Sequence, residues 1–280
     1  MKKNWFVASL AGLALLSGLP AAHAHRTWLL PSMGVVDDKG AWVTFDAAVS
    51  EDLFVFGANA VKLDGLLITA PDGSRLAAAN PFTGKLRSTF DLQLTQEGTY
   101  RVSLVNESAM ASYKVGTETK RWRGAVADMA KEIPADAQDV RRTVTQSRLE
   151  TFVVAVKGND TALKPAGKGL EVLPLSSLDS FAPGAPARFR VLLDGKPLPE
   201  LTVAVVPGGV RHRGVLREQA VKTDAQGEFS VKWLDAGMYA ISASYPPRAA
   251  QPPAGAAPAA PPAQPAVRYT YMGTVEVLPE

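Results

Sequence analysis

The chain reads as an all-β protein: tandem immunoglobulin-like or transthyretin-like β-sandwiches with one short helix. Three observations predict this. Short alternating apolar runs, punctuated by turn residues, recur along most of the length. A linker-like stretch, Lys164-Pro165-Ala166-Gly167-Lys168-Gly169, divides those runs into two blocks. Both blocks use the same strand entry, Gly98-Thr99-Tyr100 in the first and Gly237-Met238-Tyr239 in the second.

Residues 1–24 read as a cleaved export signal. Lys2 and Lys3 give a positive start, Trp5 to Leu16 is apolar, and Gly18 and Pro20 end any helix. Ala22-x-Ala24 then supplies the small residues that a signal peptidase requires. The apolar run falls short of the roughly 20 residues that a bilayer span takes. No later segment is long and apolar enough to cross as a helix, so the mature chain is expected in the periplasm without a membrane span. Cleavage after Ala24 makes His25 the first residue, whose free amine and imidazole Nδ1 can close a chelate ring on one metal ion. Cleavage after Ala22 leaves His23-Ala24-His25, whose amine, two amides and imidazole form a square-planar nitrogen set suited to Cu(II) or Ni(II). Alanine and histidine near the cut also simply suit the peptidase.

Composition excludes several functions. Lysine and arginine number 30 against 27 acids, and Lys2 and Lys3 leave with the signal. The remainder is close to neutral, which argues against nucleic acid as a partner. There is no cysteine, so thiolate catalysis, thiolate metal sites and disulfides are ruled out. An apolar content of 46% supports real cores.

The first block, residues 25–158, holds strand patterns at Trp42 to Val49, Leu66 to Ala70, Leu86 to Leu94, Gly98 to Val105 and Leu149 to Val156. Asp37-Asp38-Lys39-Gly40 reads as a hairpin turn. Thr119 to Ile133 breaks the pattern. Trp122, Val126, Met129 and Ile133 recur at helical spacing and Pro134 follows, which predicts a helix near 119–133 lying across the sandwich or bridging to the second block. Lys120, Arg121 and Arg123, with Arg141 and Arg142 further on, form either an anion or partner site or a solvated basic face. Glu51-Asp52-Leu53-Phe54-Val55-Phe56-Gly57 is either a loop joining a ligand or metal site, or a strand edge with core aromatics.

The second block, residues 165–280, shows strand patterns at Leu170 to Leu173, Ala187 to Leu193, Leu201 to Val206, Val221 to Trp233 around a turn, Gly237 to Ala243 and Arg268 to Leu278. Residues 246–266 are almost wholly proline, alanine, glycine and glutamine, a disordered loop by composition that interrupts a hairpin.

His212 is the only histidine outside the processing region. It becomes a further metal ligand only if the fold brings it to the terminus. There is no phosphate-cradling glycine loop, Gly-x-Ser-x-Gly elbow, His-Glu-x-x-His or dinucleotide fingerprint, so the chain is read as a non-enzyme.

The Ala-His-Ala-His terminus leading into Trp28-Leu29-Leu30-Pro31 is followed by Asp52-Leu53-Phe54, Leu66 to Gly73, Gly98-Thr99-Tyr100, Asp194-Gly195-Lys196-Pro197, Thr223-Asp224-x-x-Gly227 and Gly237-x-Tyr239. In this order they resemble the periplasmic family named domain of unknown function 4198, whose members are often labelled nickel or cobalt uptake-associated proteins. The resemblance implies a tandem β-sandwich, export and a role near metal transport, with the terminal histidine matching His25. The expected function is thus a periplasmic metal-binding accessory protein handling Ni(II), Co(II) or Cu(II) for an uptake transporter in the membrane, with His25, His23 and His212 as candidate ligands. The alternative is a non-catalytic interaction module that presents its loops to a membrane transporter or receptor.

Overall fold

The computed structural model describes residues 26–247 and 264–279. In the first block the strands are β1 (Arg26–Pro31), β2 (Val35–Val36), β3 (Trp42–Ser50), β4 (Asn59–Ala60), β5 (Leu66–Thr69) and β6 (Arg75–Leu76). They continue as β7 (Ala79–Thr83), β8 (Ser88–Gln93), β9 (Gly98–Val115), β10 (Glu118–Gly124) and β11 (Gln138–Ala155). The second block has β12 (Leu170–Pro174), β13 (Pro186–Leu193), β14 (Lys196–Pro197) and β15 (Thr202–Pro207). It ends with β16 (Gln219–Lys222), β17 (Glu228–Lys232), β18 (Gly237–Tyr245) and β19 (Ala266–Val277).

Among the described residues these strands make three sheets. One runs β1-β3-β8-β7, with β4 on β3. Another runs β12-β13-β14, with β17 on β13. The third is continuous across both blocks, in the order β16-β15-β18-β19-β11-β9-β5-β6, with β10 on β9 and β2 on β11. The joint is a parallel pairing of β11 with β19, from Thr143 opposite Ala266 to Thr151 opposite Thr274.

The two sandwiches therefore share a sheet and cover opposite faces of it. Successive side chains of a strand point to opposite faces. On β11, Leu149, Val153 and Ala155 join the core of the first sandwich, with Phe45, Phe90, Tyr100 and Leu104. Phe152 and Val154 join the core of the second, with Phe189, Trp233, Tyr239 and Val275. Residues 148–155 are consequently all buried, which explains why this stretch carries an apolar run rather than clean alternation.

The repeated strand entry builds the same device twice. Gly98 and Gly237 lie at φ +133° and +134°, which a side chain rarely adopts. Two residues on, the tyrosine turns back on its own loop. The Tyr100 hydroxyl donates to Gln96 O at 3.0 Å and accepts from Gln96 N at 2.7 Å. The Tyr239 hydroxyl donates to Asp235 O at 2.8 Å and accepts from Asp235 N at 3.0 Å. Both are the tyrosine corner of immunoglobulin-like sandwiches.

Three expectations change in detail. Helix within 119–133 is confined to a 3-10 turn (Val126–Asp128) and α1 (Met129–Glu132), whereas Glu118–Gly124 is strand. The apolar residues of the supposed helical stripe still share one small cluster with Ala109, Ala111 and Tyr113, because a strand followed by a tight turn also gathers them. The Asp37 to Gly40 turn is not a hairpin, since it leads from β2 in the shared sheet to β3 in another. Strands β9 and β11 run well past the predicted Gly98 to Val105 and Leu149 to Val156, forming with β10 a three-stranded extension of the sheet. β18 and β19 pair from Gly237 opposite Val277 to Tyr245 opposite Tyr269, so residues 246–266 do interrupt a hairpin, and most of that loop lies outside the described residues. No helix among the described residues is long and apolar enough to cross a membrane.

Candidate functional site

Where the first sandwich's outer sheet ends, the shared sheet continues through β19, β18 and β15, whose Thr270, Ser242 and Ala204 are only partly buried. This leaves a cleft of about 790 Å³ at the junction. Its floor includes Ser147, Thr270 and Ser242, and its rim includes Arg26, Glu51 and Asp52.

The rim is built around Trp28. This side chain is fully buried and packs with Ala48, Leu53, Val206 and Ala240, so it ties the first strand to both blocks. Its indole Nε1 donates to Ser50 Oγ at 2.8 Å, and Ser50 Oγ donates to Asp52 O at 2.6 Å. Phe54 and Phe56 hold the other side of the indole, with ring centroids 5.8 and 5.4 Å away. Arg87 lies 4.5 Å over Phe56. The two phenylalanines of the Glu51 to Gly57 segment thus serve packing, while the acids before them face the cleft. Across from them, a Cβ on Gly208 would come within 2.9 Å of Phe54 Cδ2, so glycine permits the close approach of the two blocks here.

The segment after that glycine carries α2 (Val210–Arg213). Val210 and Gly214 line the main cleft. Arg211 shares with Ser50, Glu51 and Asp52 a smaller pocket of about 150 Å³. His212 is exposed on this turn, and its backbone N–H donates to Gly209 O at 3.1 Å. Arg213 holds the turn by donating to Gly208 O and Pro207 O. The structure therefore brings the His212 turn, the Glu51-Asp52 pair and the start of β1 to one cleft. His23 and His25 lie outside the described residues. Among the described residues no group of three or more histidines, aspartates or glutamates is arranged to hold a metal ion.

The opposite face of the same sheet carries a feature that sequence reasoning missed. Glu150 and Glu171 are fully buried, with Arg101 and Arg148 nearly so. Arg101 Nε donates to Glu150 Oε1 at 2.7 Å and its Nη2 to Glu171 Oε1 at 3.2 Å. Arg148 Nη1 and Ser103 Oγ also donate to Glu150 Oε1, at 3.3 and 2.6 Å. Arg101 reaches Lys164 O and Arg148 reaches Lys168 O, while Ala166 N and Gly167 N donate to Glu171. The network seizes the linker and ties β12 to the shared sheet at β9 and β11. Burial pushes the Glu150 carboxyl up, but Arg101 and Arg148 outweigh it and hold the carboxyl below the ordinary glutamate range. Burial, reinforced by the charge of Glu150, pushes the Tyr271 phenol well above its usual value. The trace of this network in the sequence is the placing of Arg148 and Glu150 in a strand otherwise rich in apolar residues.

The profile of the family described as Domain of unknown function (DUF4198) matches residues 22–246. The chain belongs to the DUF4198 family. The match takes in both terminal histidines, β1, the cleft rim and the His212 turn. No curated protein matches this DUF4198 chain. Among solved structures, the human OSCAR ligand-binding domain is 15% identical with a TM-score of 0.22, the alignment covering 91% of this chain and 99% of that one. The D0-D1 domain of intimin is 13% identical with a TM-score of 0.20, covering 89% and 97%. A tetra-tandem repeat from the extending region of a large adhesion protein is 11% identical with a TM-score of 0.24, covering 91% and 74%. These scores carry no argument about residues, and the fold assignment of this DUF4198 chain rests on its strand pairing.

Proposed function

We propose that the protein is an exported, non-catalytic accessory protein that holds Ni(II), Co(II) or Cu(II) at its mature amino terminus for an uptake transporter in the membrane. The observation that supports this reading is the position of Arg26. β1 starts on the rim of the junction cleft, beside the carboxylates of Glu51 and Asp52. On this reading, a mature chain whose first residue is His25 begins one residue before Arg26, within about 3.8 Å along the chain. The amine and imidazole of His25 supply two nitrogens, and Glu51 or Asp52 supplies an oxygen, a donor set that suits Ni(II) or Co(II). A chain that starts at His23 supplies the planar nitrogen set that suits Cu(II) or Ni(II). His212 stands on a turn bordering the same cleft and is available as a further imidazole.

The anchoring of Trp28 gives the terminus a fixed root, which favours a preorganised site. The amine, with an ordinary pKa of about 7.7, must lose its proton to bind, so affinity falls steeply in acid. The test is calorimetric titration of the signal-cleaved protein with each ion, beside a version with one alanine added before His25. Tight binding that the added alanine abolishes, and that Glu51→Ala with Asp52→Ala weakens, supports the reading. Binding that survives the added alanine contradicts it.

A further inference from the structure

The basic residues between Lys120 and Arg142 are not explained by the metal reading. Their place in the fold points to a second role. β10 pairs with β9 from Glu118 opposite Val115 to Gly124 opposite Ala109, and among the described residues no other strand pairs with it. Its outer edge therefore presents backbone N–H and C=O groups without a ladder. The side chains sort by parity. Residues directly opposite each other in adjacent strands share a face. Trp122 packs on the small apolar cluster, and its indole Nε1 donates to Glu132 Oε2 at 2.7 Å. Arg121 and Arg123 point to the other face, with Ser112 and Met110 opposite them. Both arginines are exposed, and neither makes a side-chain hydrogen bond or ion pair among the described residues. Met110 is 49% exposed between them and β11. The acid on this face, Asp139, is held by Lys114 at 2.7 Å.

We propose that the outer edge of β10 is a docking edge for an acidic, extended segment of a partner protein, which adds to the sheet as a further strand. Main-chain hydrogen bonds along the open edge give such a strand its affinity. Arg121 and Arg123, two residues apart on one face, place two guanidiniums opposite alternate residues of the incoming strand. Carboxylates at those alternate positions match them, since arginine recognises carboxylate in a planar, bidentate fashion. The same charges repel basic strands, so the edge that would otherwise promote aggregation becomes selective. An anionic lipid surface would use the charge but not the open backbone edge, and the edge is what favours a peptide.

The test uses the mature protein in the presence of a chelator, so its outcome is independent of the metal site. The probe is a labelled peptide of about ten residues alternating glutamate and threonine, followed by fluorescence anisotropy. Three controls accompany it: a lysine-threonine peptide, a backbone N-methylated copy of the acidic peptide, and phosphatidylglycerol vesicles. Binding of the acidic peptide alone, weakened roughly tenfold or more by Arg121→Glu with Arg123→Glu and by added salt, supports the proposal. Arg121→Lys with Arg123→Lys should restore part of the affinity. Circular dichroism and an unchanged melting temperature verify that the variants fold. No binding of the acidic peptide, equal binding of the lysine or N-methylated peptide, or capture by vesicles alone overturns it.

Discussion

Arginine serves two opposite purposes along the same pair of long strands. In the half of β9 and β11 that lies between the sandwiches, Arg101 and Arg148 are buried and every carboxylate they touch is matched. Beyond the sandwiches, where β10 joins β9, Arg121 and Arg123 are exposed, and neither forms an ion pair among the described residues. Desolvation explains the difference. A charge removed from water must be paired and hydrogen-bonded, whereas an exposed charge costs little and stays available to another molecule. The buried set therefore fixes how the two sandwiches sit, and the exposed set is free to meet a partner.

The largest expected effect breaks the buried half. Glu150→Gln leaves two guanidiniums facing a neutral group in the interior and should cost on the order of 3–5 kcal/mol in urea unfolding. Arg121→Ala should cost less than about 0.5 kcal/mol. Equal costs would dissolve the contrast.

The pH dependence follows from the same group. The Glu150 carboxyl lies below its ordinary range in the folded protein. Its contribution is therefore fully present above the unfolded value of about 4.3 and is lost as pH falls through the folded value. Urea midpoints measured from neutral pH downward should fall in acid, and Glu150→Gln should flatten that slope. Arg121→Ala should leave the slope unchanged.

A smaller effect sharpens the account of the network. Ser103 donates one hydrogen bond to Glu150 Oε1. Ser103→Ala should cost about 1.5–3 kcal/mol, the range for a hydrogen bond to a charged group, and less than loss of the carboxylate itself. The smallest effect belongs to the exposed half, where Arg121→Ala with Arg123→Ala should leave the melting temperature within about 2 °C while weakening the acidic-peptide affinity.

Much of the fold is legible in the residues. The alternation of β3, β8 and β13 and the two Gly-x-Tyr entries report local geometry, and local geometry is what a residue pattern encodes. The shared sheet is not legible, because it depends on the parallel pairing of β11 with a strand more than a hundred residues away in sequence. The helix reading of Thr119 to Ile133 erred for a related reason. Trp122, Val126, Met129 and Ile133 do meet on one cluster, and spacing alone cannot tell a helical stripe from a strand that turns back on itself. At the candidate site, the odd pairing of acids and aromatics in Glu51 to Phe56 was visible, but only the packing of Trp28 shows that the aromatics are structural and the acids face the cleft. The buried network escaped because Arg148 and Glu150 look like ordinary solvent-facing residues until a second sandwich covers that face.

The proposed metal site is tested most directly by crystals of the signal-cleaved protein soaked in Ni(II), with diffraction data collected on either side of the nickel absorption edge. The account predicts one strong anomalous peak at the start of β1, beside Arg26 and within reach of Glu51 and Asp52. A peak elsewhere on the molecule, or none at saturating Ni(II), would contradict it.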